Sequence, residues 1–281
     1  MALTVTQTAD PGAPRVGITV DGLSATTACT VILSVSWDGG ATWVPVRGGN
    51  RTGVLGAVFV PDHVPPLNVT ATYRAVVTGG TTVTWTTQTL ISSTTAWIQD
   101  PLAPKTAVPL YADMSSGHVL LTTRSLTGGR WGQQEDIASV VGTNVPAASL
   151  SVRQKIAGLP LSLMYEVASE GGRLQTMLMS AGQVVIRGLP ADQLLDPVAH
   201  CSIGDANETR YAHGTISEWT LTARQVQPIT FQIVVPWWTF DDVKVLVQSQ
   251  LGPSVTFDQV KTAQPTGKTF VQWQENPGVA G

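Results

Sequence analysis

Charge is what this sequence has least of. Asp, Glu, Lys and Arg make up 12% of the 281 residues, about half of the roughly 25% usual in globular domains. Hydrophobic residues reach 43%, which excludes an intrinsically disordered chain. So few charges fit two descriptions: a largely neutral surface lying against other subunits, or a Thr-, Val- and Gly-rich β-protein whose strands need little charge. The 16 basic residues are scattered and the net charge is −3, so the clustered Lys and Arg that nucleic-acid binding demands are missing. The start, MALTVTQTADPG, has neither a basic nor an apolar signal region, which leads us to expect no export signal. No run of about 18 apolar residues occurs, so no membrane-spanning helix is expected. Cys29 and Cys201 are the only cysteines, a number that suits a reducing cytoplasm and not a disulfide framework.

Catalytic motifs are missing too. There is no G-x-S-x-G elbow, no phosphate-binding loop and no G-x-G-x-x-G. Four histidines are present, and His200, Cys201, Asp205 and His213 fall close together in sequence. They lack the spacings that make a metal site convincing. The sequons at Asn68 and Asn207 carry little meaning without secretion. We therefore expect no enzyme activity, no cofactor and no metal.

What is present is a series of short β-type runs. Over the first 95 residues, ALTVTQT, RVGITV, CTVILSVSW, TWVPVR, GAVFV, VTATYRAVV and TTVTWTT alternate apolar and polar residues between Gly, Pro and Asp. Their spacing of about 8–12 residues predicts an immunoglobulin- or fibronectin-like β-sandwich over 1–95. Leu67 and Tyr73 fit a tyrosine corner, with the Tyr73 hydroxyl bonding to nearby backbone. Pro101, Pro104 and Pro109 predict a stiff extended linker over 96–111. Beyond it, HVLLTTRSL, SLSVRQKI, LPLSLMYEVA, RLQTMLMSA, QVVIRGL, HCSIGDA and ISEWTLTARQV predict a second β-rich domain over 112–236. Within it YEVASEGGRLQTML reads as a hairpin around Glu170-Gly171-Gly172, and ADQLLD as a short helix.

The last part, 237–281, changes character. TFDDV and TFDQV begin 17 residues apart. Thr239 and Thr256 take N-cap positions, with Asp242 and Gln259 at the third helical position, as in a capping box. Two short capped helices are expected there.

One motif points to sugar chemistry. Ser36, Asp38, Gly40, Thr42 and Trp43 in SWDGGATW match the Asp-box of sialidases and other β-propeller glycosidases. Such an enzyme needs several boxes, an arginine cluster and a Tyr–Glu pair, whereas this chain has one box and four tyrosines. Each box residue has a role in shaping a turn, so a structural hairpin is expected. Nine tryptophans remain, of which Trp97, Trp237 and Trp238 flank domain boundaries. They are read as core staples, interface anchors or sugar-stacking platforms.

Four stretches in order, VSWDGGATWVPVRGG, VPPLNVTATYRAVVTG, WIQDPLAPKTAVPLYAD and the paired TFDDV and TFDQV segments, resemble the minor tail proteins of long-tailed bacteriophages that infect actinobacteria. The resemblance touches both domains. It implies a non-enzymatic structural protein of the virion tail tip or baseplate, made in the host cytoplasm. It also implies assembly with other tail proteins as a homo-oligomer, a trimer or hexamer. No catalytic residue comes with it. The alternative is a carbohydrate-binding module whose partner is a host-surface glycan.

Overall fold

The computed structural model describes residues 2–7, 12–112, 118–122, 125, 135–138, 147–150, 158–166, 170–189, 195–211 and 215–229. The described chain is mostly β. Alternation between apolar and polar residues places seven strands in the first part: β1 (Ala2–Gln7), β2 (Val16–Asp21), β3 (Cys29–Ser36), β4 (Val44–Val54), β5 (Ala57–Asp62), β6 (Thr70–Thr78) and β7 (Val83–Leu90). They form two sheets, ordered β1-β2-β5 and β4-β3-β6-β7. Successive strand side chains point to opposite faces, and here the odd or even set of each strand meets in one core. Val16, Ile18 and Val20 of β2 join Val31, Leu33 and Val35 of β3 and Ala71, Tyr73, Ala75 and Val77 of β6. Trp37, Val44 and Trp85 pack at its margin.

Tyr73 sits in this core with its hydroxyl donating to Asp62 Oδ2 at 2.8 Å. The expected backbone acceptor is thus replaced by a buried carboxylate at the end of β5. Asp62 also accepts the Val64 amide at 2.9 Å, which turns the chain as it leaves the strand. Leu67 is fully buried beside it.

The second part closes on itself. Seven strands run in the order β10-β13-β16-β15-β14-β8-β9 around a barrel: β8 (Ala96–Gln99), β9 (Val108–Tyr111), β10 (Val119–Leu121), β13 (Leu159–Glu166), β14 (Val184–Arg187), β15 (Val198–Arg210) and β16 (Ile216–Gln225). A parallel pair, β9 with β10, completes a ring that is otherwise antiparallel. Leu159, Leu161, Leu163, Val184, Ile186, Leu221 and Ala223 fill it. β11 (Glu135–Ala138) and β12 (Ala147–Leu150) pair separately.

Two expectations need correction here. Residues 96–111 are not an extended linker, because β8 and β9 lie within them and pair with each other, β8 also with β14. Pro101 and Pro104 occupy the bend between the two strands, which includes a single 3-10 turn at Pro104–Thr106. Pro109 stands opposite Trp97, and pairing with β10 starts only at Leu110, so its missing N–H interrupts no ladder there. The barrel unit accordingly begins at 96, not at 112. The second correction concerns Glu170-Gly171-Gly172 and the expected strand RLQTMLMSA: the glycines open a helix, α1 (Glu170–Ser180), and not a hairpin turn, and all of that run but its last residue lies in the helix. Gly171, Leu174 and Met177 recur every three residues and are buried, the period of a helix face. Gly171 lies against the Tyr165 ring, where a Cβ would sit 1.9 Å from Cδ2. The glycine that looked like a turn residue is a close-packing residue.

Trp237 and Trp238, the capped segments with Thr239, Asp242, Thr256 and Gln259, and most of ADQLLD lie outside the described residues.

Candidate functional site

The Asp-box forms a self-contained turn between β3 and β4. Asp38 accepts the Thr42 amide at 2.9–3.0 Å and hydrogen bonds from the Thr42 and Ser36 hydroxyls. Ser36 Oγ in turn accepts the Gly40 amide at 2.9 Å. Gly40 adopts a φ of 95°, a region closed to most side chains. These donors, with the Thr42 hydroxyl first, hold the Asp38 carboxyl far below the usual carboxylate range although it lies in solvent. The Arg74 guanidinium lies 3.9 Å from the Trp43 ring centroid, a cation–π contact that fixes the indole over the hairpin.

The two β-units meet through β8. Trp97 belongs to the first core and Ile98 to the second. The Trp97 indole donates to Ser93 Oγ at 3.0 Å. Behind them sits Arg187 of β14, fully buried. Its Nε and Nη2 donate to Gln99 Oε1 at 3.1 and 2.9 Å, and its Nη1 donates to the Pro65 carbonyl at 3.1 Å. Gln99 passes the chain on, Nε2 donating to the His63 carbonyl at 3.1 Å. Arg47 of β4 reaches across to the Pro101 carbonyl.

Burial governs the electrostatics of this junction. It pushes Arg187 down to about 10, with nearby Asp62 pulling the other way. It raises the Asp62 carboxyl, against the Val64 and Tyr73 hydrogen bonds and the Arg187 charge. It drops His63 to about 3, helped by Arg15, Arg187 and Arg47, so the ring is neutral at pH 7. A buried cation is tolerable only with its donors satisfied and an opposite charge close by. The junction supplies one acceptor to each guanidinium nitrogen and, in Asp62, a carboxylate nearby.

A groove of about 1230 Å³ opens where the Asp-box hairpin faces the barrel. Trp37 and Trp43 line one side. Asp196, His200, Arg224 and Gln225 line the other. Gln225 Nε2 donates to Asp196 Oδ2 at 2.5 Å. His200 Nδ1 lies 3.4 Å from Gln183 Oε1, and burial lowers its pKa to about 4, leaving the ring uncharged at neutral pH. In the barrel, Glu218 receives hydrogen bonds from the Ser162 and Tyr211 hydroxyls beside a smaller hollow of about 350 Å³.

Among the residues singled out in the sequence, the five of the Asp-box come together in one turn, and Trp97 lies at the junction. Cys29 and Cys201 are free thiols buried in different cores, and burial pushes Cys201 up to about 12. Among the described residues no group of three His, Cys, Asp or Glu could hold a metal, and no helix is long and apolar enough to cross a membrane. Sequence reasoning missed Asp62, His63, Gln99 and Arg187. The only trace of Arg187 is its place at the end of the apolar run QVVIRG, where a charge has to find a partner. No protein-family model matches the chain, and no curated protein or solved structure matches it significantly.

Proposed function

We propose that this chain is a non-enzymatic structural protein of a bacteriophage tail tip or baseplate, built to hold two β-units at a fixed angle and to join other tail proteins. The observation that carries this reading is the junction. A shared strand and a buried Arg187, each of whose three nitrogens donates to Gln99 or Pro65, tie the two units together, as a stiff part requires. Separate domains on a flexible linker would reorient freely.

The finer reading of the first unit is an immunoglobulin- or fibronectin-like sandwich. Its sheet order, β1-β2-β5 over β4-β3-β6-β7, supports this, as does the buried Tyr73 near the start of β6. Ile32, Leu55 and Leu90 on that unit are large apolar side chains left exposed, and they are candidates for contacts with neighbouring subunits. Closed symmetric contacts then give a homo-oligomer, a trimer or hexamer.

Light scattering coupled to gel filtration, across a range of concentrations, tests self-assembly. A trimer or hexamer is the expected result, and a monomer at every concentration overturns it. Antibody labelling of virions tests location, with signal expected at the tip of the tail. Label absent from the tail refutes the virion assignment.

A further inference from the structure

The groove between the Asp-box hairpin and the barrel has a composition that stiff assembly does not require. Two half-buried indoles line one wall, and on the other Asp196, His200, Arg224 and Gln225 stand among Pro197, Val198, Val226 and Pro228. Indole faces stack on the C–H faces of sugar rings, while hydroxyl groups need donors and acceptors close by. Asp196 supplies an acceptor, oriented by Gln225 at 2.5 Å. Arg224, exposed on β16, supplies donors. We propose that this groove is a binding site for a neutral oligosaccharide.

Charge argues against an anionic ligand. Asp38 and Asp196 line the groove with a single cation, Arg224, so a polyanion would meet two carboxylates against one guanidinium. The Asp38 oxygens already receive hydrogen bonds from Ser36 and Thr42. The aromatic faces and hydrogen-bonding groups of the two walls serve a chain of neutral sugars without needing a counter-charge.

The walls come from different units, the indoles from the hairpin after β3 and the polar groups from the barrel. Their separation is therefore set by the Arg187 junction. A site whose walls are already fixed avoids the ordering cost of binding. The Asp-box contributes here as a scaffold that presents Trp43, with no part in bond cleavage.

The test is titration of the full chain with neutral hexasaccharides of glucose, mannose, galactose and xylose, and with a hexagalacturonate as the charged control. Tryptophan fluorescence and calorimetry are the readouts. Saturable binding of at least one neutral probe is expected, with a Kd of roughly 10 μM to 1 mM. Trp43→Ala should weaken it at least ~10-fold, in line with loss of an aromatic anchor. Because that change also loosens the hairpin, Arg224→Ala serves as the second variant; it lies on the exposed end of β16 and should weaken binding by about 3- to 10-fold with the fold intact. Three results overturn the proposal: no neutral probe binding at about 10 mM, binding unchanged in both variants, or the galacturonate binding more tightly than every neutral probe. The first of these would mean that the groove accommodates protein and not sugar. None of the three bears on the oligomeric state, so the assembly reading stands or falls separately.

Discussion

The two units solve the problem of strand edges in different ways. The first unit leaves β1, β5, β4 and β7 at the margins of its two sheets, whereas the barrel ring has no first or last strand. An unpaired edge offers a row of backbone donors and acceptors to any passing strand, and closure removes it. Among the described strands, a neighbour can therefore add a strand to the first unit or to the separate β11–β12 pair, and not to the ring. The barrel ring can engage partners only through side chains. Their interiors differ as well. The barrel carries a buried acid, Glu218, on the strand face opposite its core, where two hydroxyls bond it beside a surface hollow, while the first unit places its buried carboxylate, Asp62, at the border shared with the barrel. One unit is sealed and the other is open at its margins, and polar groups lock the two together.

The largest expected effect comes from attacking the lock. Arg187→Leu strands Gln99 Oε1 and the Pro65 carbonyl and leaves Asp62 without its cation, which should cost on the order of 3–5 kcal/mol. Chemical denaturation of the wild type should show one transition. The variant should show two, one for each unit, and a single transition in the variant would mean that apolar contacts alone couple them.

Core truncations come next. Leu33→Ala in the first unit and Leu161→Ala in the barrel, both buried, should each cost about 2–5 kcal/mol. Combined with Arg187→Leu, each should shift only its own transition, which assigns the two transitions to their units. Gly171→Ala drives a methyl into the Tyr165 ring and should cost about 1–3 kcal/mol. Its effect should fall on the barrel transition alone.

Acid provides a gentler probe. Unfolded, His200 takes a proton near its ordinary value of 6.5; folded, it resists until about 4. Between those values the unfolded chain binds more protons, so stability falls as pH drops through that window. His63 acts in the same direction, down to about 3. The raised Asp62 acts oppositely, since its folded form takes up a proton first. His200→Asn should therefore show a shallower loss of Tm between pH 6.5 and 4 than the wild type, and equal slopes would remove His200 from the acid response.

The smallest effect is expected at the Asp-box. Asp38→Ala should raise the hydrogen-exchange rates of the Gly40 and Thr42 amides and leave both global transitions in place. Slowed or unchanged exchange would contradict the bonding pattern of the turn.

Many strands of the first unit were legible because they are half-buried and alternate, as in TATYRAVVT with Ala71, Tyr73, Ala75 and Val77 turned inward. The box turn was legible because its bonds are local, spanning two to four residues. The barrel's limits were harder to read. Its first two strands are four residues each and sit among prolines that ordinarily mark a loop. Helix α1 opens with two glycines, and its packing against Tyr165 depends on a contact that no local pattern encodes. The junction was the least legible of all. Arg187 meets Gln99 across 88 residues and Pro65 across 122, separations at which the sequence carries no periodic signal.

Strand β8 has a consequence of its own. Because Trp97 and Ile98 are adjacent yet serve different cores, membership in one unit or the other is decided by odd or even position along four residues. Inserting a single residue just before Trp97, with the β8 ladder kept in place, would turn the indole toward the barrel and the isoleucine toward the first unit. Inserting two would restore the parity. Length changes at this border are therefore tolerated in steps of two, and the two units cannot be exchanged as independent cassettes by cutting at any convenient point between them.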